Sequence, residues 1–403
     1  MNAIVRGWCP SLYEPMQSGD GLLVRIKPSA SRLDAMSARH VAEAALRHGN
    51  GMIELTNRGN LQLRGFSVGS AALFAREAVE LGLAVADPAA ERRRNIQASP
   101  LAGDDPDCDA DTLAIARALE AVLIADDSLN GLPGKFGFAV DGGGALSLES
   151  VRADITLRAS GPGSWQVEAG DAAAACTVAE APLHAQRLAR ASLALPGAPV
   201  RPSRDPVSGT MLFQADGLPC RPIGFVARQS PVAVGPLPAG AFGIGVPPGR
   251  LDASLLLQLA ALAEQLGEAT IRLTPWRALV LAGLLPGAES SVRSTLAGQL
   301  LDPTDPRLRT ASCIGAPACP RGMVPAPATA FQLGALLPDG VFLHVSGCAK
   351  GCAHPGTAPL TLVGHDGLYD LVVDGRAGDT PRHHGLTLDM AASLLHQHKD
   401  HPA

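Results

Sequence analysis

Four cysteines near the C-terminal end of the chain fall in two pairs, Cys313 with Cys319 (C-x5-C) and Cys348 with Cys352 (C-x3-C). Thiolates in fours bind either structural zinc or a cubane iron–sulfur cluster. Zinc ribbons favour tighter C-x2-C knuckles, and neither pair has one. Gly315, Gly322, Gly347 and Gly351 flank the quartet, where they let backbone N–H groups approach sulfur and tune its redox behaviour. The remaining cysteines, at 9, 108, 176 and 220, are scattered. The first residues, MNAIVRGWCP, have no basic start followed by an apolar stretch. The expectation is a reducing, cytoplasmic setting in which clustered cysteines do metal chemistry rather than form disulfides.

A second group of residues could bind an anion. Only four of the 33 basic residues are Lys, at 27, 135, 350 and 399, so Arg is the default cation. In T-N-R-G-N-L-Q-L-R (56–64), strand alternation puts Arg58, Asn60, Gln62 and Arg64 on one face, a polar, cationic platform for a ligand. R-R-R-N-I (92–96) offers Arg94, with Arg92 and Arg93 read as surface or interface charges; L-P-G-K-F-G-F (132–138) offers Lys135. Arg25 and Lys27 join them, with Arg277, Arg309 and Lys350 in the second half. A net charge of −5 argues against a nucleic-acid binder, and no apolar run is long enough to cross a membrane. No G-x-G-x-x-G opens a βαβ unit and there is no Walker motif, so any electrons come from an external donor.

The elements that must hold these residues are repeated. Segment 32–66 matches segment 250–284 without a gap: RLDA opens both, and Gly49, Ile53, Leu55, Thr56, Leu61, Leu63 and Gly65 recur as Gly267, Ile271, Leu273, Thr274, Leu279, Leu281 and Gly283. Strand 22–27, helix 37–48, hairpin 52–56 and 60–66, helix 71–81 and a short strand near 83–85 make a β-α-β-β-α-β unit. Beyond each unit a three-residue slip aligns Arg94 with Arg309, Ala98 with Cys313, Pro133 with Cys348, Lys135 with Lys350 and Gly137 with Cys352, so only the second copy carries the thiols. The halves meet in a Pro- and Gly-rich stretch, 195–240, read as loop-rich. The fold expected is α+β and internally duplicated with pseudo-two-fold symmetry: ferredoxin-like half-domains at 1–86 and 236–301, each followed by a larger α/β domain at 87–235 and 302–403.

With the quartet, the repeat and these cationic motifs in view, the chain resembles the sulfite and nitrite reductase family. That resemblance implies a [4Fe–4S] cluster on Cys313, Cys319, Cys348 and Cys352, and Arg58, Arg64, Arg94 and Lys135 turned toward a tetrapyrrole and its substrate. The reductases usually carry K-x-K where this chain has Lys135 followed by Gly137. That departure, and T-P-W-R at 274–277, point to a sister branch acting on precorrin-3A. The implied reaction is dioxygen-dependent hydroxylation at C20, with γ-lactone formation, in aerobic cobalamin synthesis. The partners implied are precorrin-3A, dioxygen and an NADH-linked flavin reductase or ferredoxin-type donor, and a mononuclear non-haem iron is associated with this branch. A sirohaem-dependent sulfite or nitrite reductase is the alternative enzyme, and a zinc- or cluster-bearing binding protein the non-enzymatic one. For the iron, His344, His354, His365, Asp366, His383 and His384 are the nearby candidates, with no spacing that selects among them; the run 396–401 is read as a disordered tail.

Overall fold

A computed structural model of the chain describes residues 10–197, 199–224 and 229–400, and Cys9 lies outside them. The first ferredoxin-like half runs β1 (Met16–Ser18), β2 (Gly21–Ile26), β3 (Arg32–Asp34), α1 (Ala35–His48), β4 (Met52–Leu55), β5 (Leu61–Phe66) and α2 (Val68–Glu80). The first larger domain follows with α3 (Pro88–Arg93), β6 (Ile96–Ala98), α4 (Thr112–Ala125), β7 (Phe138–Asp141), β8 (Ile155–Gly161), β9 (Ser164–Ala169), β10 (Ala172–Cys176), α5 (Ala181–Ala194), α6 (Ser208–Asp216) and β11 (Arg221–Pro222). The second half-domain comprises β12 (Gly235–Leu237), β13 (Ala241–Gly245), β14 (Arg250–Asp252), α7 (Ala253–Leu266), β15 (Thr270–Leu273), β16 (Ala278–Leu281) and α8 (Glu289–Thr295). The last domain holds β17 (Thr310–Ser312), α9 (Ala326–Gly334), β18 (Leu343–Ser346), β19 (Ala358–His365), β20 (Leu368–Gly375), β21 (His383–Leu386) and α10 (Leu388–Asp400).

The repeated RLDA has a double use. Leu33 and Leu251 enter the core as short strands, and the following Asp34 and Asp252 cap α1 and α7 by accepting from Ser37 N (2.8 Å) and Leu255 N (2.9 Å). Each short strand joins the other half's sheet. One sheet is ordered β1-β2-β5-β4-β14 and its counterpart β12-β13-β16-β15-β3. The exchange is reciprocal in detail: Ala35 N donates to Ala269 O at 2.8 Å, and Ala253 N to Gly51 O at 2.9 Å. Helices α1 and α7 pack together, and one continuous apolar core runs from Leu12 to Leu301 through both halves.

Each larger domain begins with three parallel strands and continues antiparallel. The orders are β6-β7-β8-β9-β10-β11 and β17-β18-β19-β20-β21, each over its own core.

Three expectations are corrected. No strand forms at 83–85: Gly82 turns the chain in the left-handed region, Leu83 and Ala84 tuck into the core, and β1 takes the free edge beside β2. The pairing of Lys135 with Lys350 fails, because Lys135 precedes β7 whereas Lys350 follows β18, the strand that occupies the same place beside β17 as β7 does beside β6. The supposed tail 396–401 is helical in its backbone as far as Asp400, in a helix anchored by buried Ala391 and Leu395; His401 lies outside the described residues. The described residues of the loop-rich stretch 195–240 include a helix, α6, whose Leu212 and Phe213 are buried.

Candidate cluster loops and a cation-lined cleft

The cysteines sit on the two loops that leave β17 and β18, parallel neighbours whose C-terminal ends therefore emerge side by side. Backbone packs directly on backbone beneath them. A Cβ on Gly347 would lie 3.0 Å from Gly315 Cα and 3.3 Å from Gly322 Cα, and one on Gly322 would lie 2.5 Å from Ala316 N. This closeness lets Gly347 N–H donate to Cys313 Sγ at 3.0 Å. Cys319 N donates to Gly315 O (2.8 Å) and Met323 N to Gly347 O (2.9 Å), which ties the two loops together. Burial pushes the Cys352 thiol above its ordinary value; nearby Lys350 pulls it down, while Cys313, Cys348 and Cys319 push it up. Cys352 thus lies within electrostatic reach of Cys313, Cys319 and Cys348.

Among the described residues no three His, Cys, Asp or Glu are gathered tightly enough for a single metal ion. Structural zinc would draw four sulfurs to about 2.3 Å from one centre. A cubane holds its ligands at separate corners, and the spread quartet with an N–H already aimed at one sulfur fits that larger group.

The first larger domain contains the same local geometry without the thiols. Ser99 follows β6 as Cys313 follows β17, and Gly142 N donates to Ser99 Oγ at 3.1 Å just as Gly347 N donates to Cys313 Sγ. Ser99, rather than Ala98, is therefore the counterpart of Cys313. Asp141 fills the space beside it, fully buried and bonded to Ser99 Oγ (3.0 Å) and Arg158.

A cleft of about 730 Å³ opens where the first half-domain meets this domain. Arg25, Lys27, Arg92, Lys135, Arg201 and Arg204 line it, against the two acids Glu14 and Asp205. Lys27 comes from just beyond β2, with Nζ on Glu91 O at 2.6 Å. The Lys135 loop is clasped by two guanidinium groups: Arg58 Nη2 and Arg201 Nη2 both donate to Lys135 O, at 3.2 and 2.6 Å. Arg201 is itself fixed on buried Asp154 at 2.7 Å. The repeat shows that the polarity of this sheet face is selective. At an offset of 218 residues, Arg25, Lys27, Asn60, Gln62 and Arg64 correspond to Gly243, Gly245, Ala278, Val280 and Ala282. The second face is closed by packing of Ala278 and Val280 with Leu101 and Leu146.

Comparison with known proteins agrees with this architecture. The family model described as the nitrite/sulfite reductase ferredoxin-like half domain matches residues 14–79 and 239–297, the two halves that exchange strands. A precorrin-3B synthase of Sinorhizobium sp. is 33% identical over 98% of this chain and 90% of its own length. The chain belongs to the nitrite and sulfite reductase family. A ferredoxin–nitrite reductase of Synechococcus elongatus is 26% identical over 89% of this chain and 78% of its own. The solved structure of the Mycobacterium tuberculosis NirA protein superposes with a TM-score of 0.69 at 19% identity, covering 93% of this chain and 79% of that one, and so shares the fold.

Within this family member the four cations picked from sequence separate. Lys135 lines the cleft and half-buried Arg58 braces its loop. Arg64 and Arg94 are not brought to the cleft. Arg64 is 2% exposed, bidentate on Asp20 (2.9 and 2.7 Å) and paired with Glu54 at 3.2 Å. Arg94 is 4% exposed between Glu91 (3.0 Å) and Glu120, with Nη2 on Leu83 O. Arg93, read as a surface charge, is buried and donates to Leu123 O and Ile124 O at the C-terminal end of α4, where free carbonyls favour a cation. Arg92, read likewise, lines the cleft. Sequence reasoning missed Arg201 and Arg204, which lie in the stretch read as loop-rich and belong to no motif that marks them.

Among the described residues the histidines do not converge on an iron site. His365 and His384 are exposed beside Asp366 and Asp370, each with a single acidic neighbour. His344 on β18 is fully buried, its ring 5.7 Å from that of His354. Burial, helped by His354 and Arg277, lowers its pKa to about 4. The described side chains therefore do not fit a mononuclear iron. Arg277 sits at the hairpin position of Gly59, in the left-handed region at φ 56°, with Nη1 on Thr310 O at 3.0 Å. Arg309 is spent on the carbonyls of Val341 and Pro338.

Proposed function

We propose that this chain is a precorrin-3B synthase, which takes precorrin-3A, dioxygen, two electrons and two protons and places one oxygen atom at C20, the other leaving as water. The observation that carries the reading is the cleft: cations outnumber acids on one wall of a chain whose other half gathers four thiols. A precorrin is fringed with acetates and propionates, and spaced Arg and Lys donors suit them. Near-full-length similarity to a precorrin-3B synthase supports the same substrate class.

In this reading Arg25, Lys27, Arg92, Lys135 and Arg204 engage carboxylates, Arg58 and Arg201 hold the Lys135 loop in place, and Arg64 and Arg94 support the sheet and helix behind them. Cys313, Cys319, Cys348 and Cys352 would hold a [4Fe–4S] cluster, which when bound supplies one-electron steps that spin-paired carbon needs to react with dioxygen. Gly347 N–H orients Cys313. Electrons come from an NADH-linked or ferredoxin-type donor. At Gly137 the backbone N–H, not a side chain, is the active group, donating to Asp154 at 2.9 Å; this removes the second cation of the reductases and supports the monooxygenase over a sirohaem reductase.

The test is anaerobic purification followed by incubation with precorrin-3A, reductant and dioxygen. Mass spectrometry is expected to show the product heavier by one oxygen atom. A purified protein with a haem-type Soret band that reduces sulfite or nitrite, and leaves precorrin-3A unchanged, would replace this reading with the reductase one.

A further inference from the structure

A continuous row of hydrogen bonds crosses the polar face of the first sheet, from the cleft to a cluster loop. Arg25, a cleft-lining residue, donates from Nη2 to Gln62 Oε1 at 2.7 Å. Gln62 Nε2 donates to Glu54 Oε2 at 2.6 Å, and Arg64 Nη1 reaches both Glu54 oxygens at 3.2 and 3.3 Å. Arg64 Nη2 then donates to Ser18 Oγ at 2.8 Å. Ser18 Oγ and Gly19 N both donate to Ala318 O, at 3.0 and 2.9 Å. Ala318 immediately precedes Cys319, and because the peptide is planar the direction of that carbonyl fixes the direction of the Cys319 N–H.

We propose that Gln62, Glu54, Arg64 and Ser18 form a positioning relay through which a polycarboxylate on Arg25 changes the surroundings of the Cys319 thiolate. The inference rests on the cleft and cluster assignment above. A carboxylate arriving at Arg25 competes with Gln62 for its guanidinium. Gln62 and Glu54 then re-pair, and the pull of Glu54 on Arg64 changes while Asp20 keeps hold of its guanidinium at 2.9 and 2.7 Å. All four members are buried or half-buried, so their rearrangement is poorly screened by solvent. The repeat supplies the contrast: the positions of Gln62 and Arg64 are Val280 and Ala282 in the half whose sheet face is simply packed.

Coupling of this kind is reciprocal: if cleft occupancy alters the cluster's potential, the cluster's redox state alters cleft affinity by the same factor. The experiment uses the full chain with its cluster assembled, iron and labile sulfide being measured first, and uroporphyrin I, an octacarboxylate tetrapyrrole, as the probe. Its Kd is measured by fluorescence on oxidised and on electrochemically reduced protein. Wild type is expected to show a ratio of about fivefold or more between the two states. Gln62→Met and Ser18→Ala, which cut the row at different links, are each expected to keep cluster and probe binding and bring the ratio to about one. A wild-type ratio of one, or variants that retain the wild-type ratio, overturns the relay alone. Wild-type protein that assembles no cluster or binds no probe overturns the underlying assignment, and the relay with it.

Discussion

Arg201 shows how much one side chain can carry in this site. It satisfies Asp154, which is 1% exposed, and holds the Lys135 carbonyl. Arg201→Ala leaves a buried carboxylate without its cation, so we expect a loss of about 3 kcal/mol in urea unfolding, together with weaker tetrapyrrole binding. Lys135→Ala, which breaks no buried pair, is expected to weaken binding and leave unfolding nearly unchanged; equal unfolding losses in the two variants would contradict the clasp. His344 gives a pH prediction. Its folded pKa is about 4, below the ordinary histidine value, so the buried neutral ring contributes stability that is full above about pH 6.5. That contribution falls as the unfolded chain gains the proton, through the window from about 6.5 down to about 4, by roughly 3 kcal/mol in all. Urea unfolding of cluster-free protein at pH 7.5 and pH 4.5 measures it, and His344→Phe is expected to remove most of the difference. At this scale the sequence was legible for where the cysteines fall, on the loops that leave two neighbouring parallel strands. It was not legible for Arg64 and Arg94, because strand alternation places a cation on a face without saying whether an Asp or Glu from another element already occupies it.

Among the elements, the loops after β17 and β18 use glycine for turning at Gly315 and Gly351, in the left-handed region at φ 60° and 63°, and for closeness at Gly322 and Gly347. Gly347→Ala would set a methyl 3.0 Å from Gly315 Cα and 3.4 Å from Cys313 Sγ, with backbone on the far side and nowhere to yield. Overpacking of this order costs about 1–3 kcal/mol. The expected result is reduced iron and labile sulfide per chain with all four cysteines intact; full cluster content in Gly347→Ala would show that the loops need not touch. Helices and hairpins were readable from periodicity and from Gly stops such as Gly49 and Gly267, which follow α1 and α7 directly. The strand expected at 83–85 failed for a reason outside its own residues: the edge it would fill is occupied by β1, and local composition cannot report a competitor seventy residues away.

At the scale of the molecule, the duplication was visible in the RLDA repeat, but the strand exchange was not, since the same three residues serve both sheets and either pairing satisfies the pattern. Arg250 lies opposite Glu54, Leu251 opposite Ile53 and Asp252 opposite Met52. The first half's own Arg32, Leu33 and Asp34 could make those pairings only from a second copy, because in this chain they are joined to Arg272, Ile271 and Thr270. Neither half-domain therefore completes its sheet alone. The helices that meet at the seam are unequal, with Ala38, Val41, Ala42 and Ala45 buried on α1 and Leu256, Leu259, Ala260 and Ala263 at the matching places on α7. Ala38 and Val41 are answered by the larger Leu256 and Leu259, so α1 against α1 would leave voids, and a buried Leu-to-Ala deficit costs about 2–5 kcal/mol. Fragments 10–86 and 236–301 prepared separately are thus expected to self-associate weakly or aggregate through unpaired strand edges. Mixed in equal amounts, they are expected to form a 1:1 complex, measured by light scattering after size exclusion. Two folded monomers persisting in the mixture would mean that the exchanged strands are an ornament on self-sufficient halves and not the joint that holds them together.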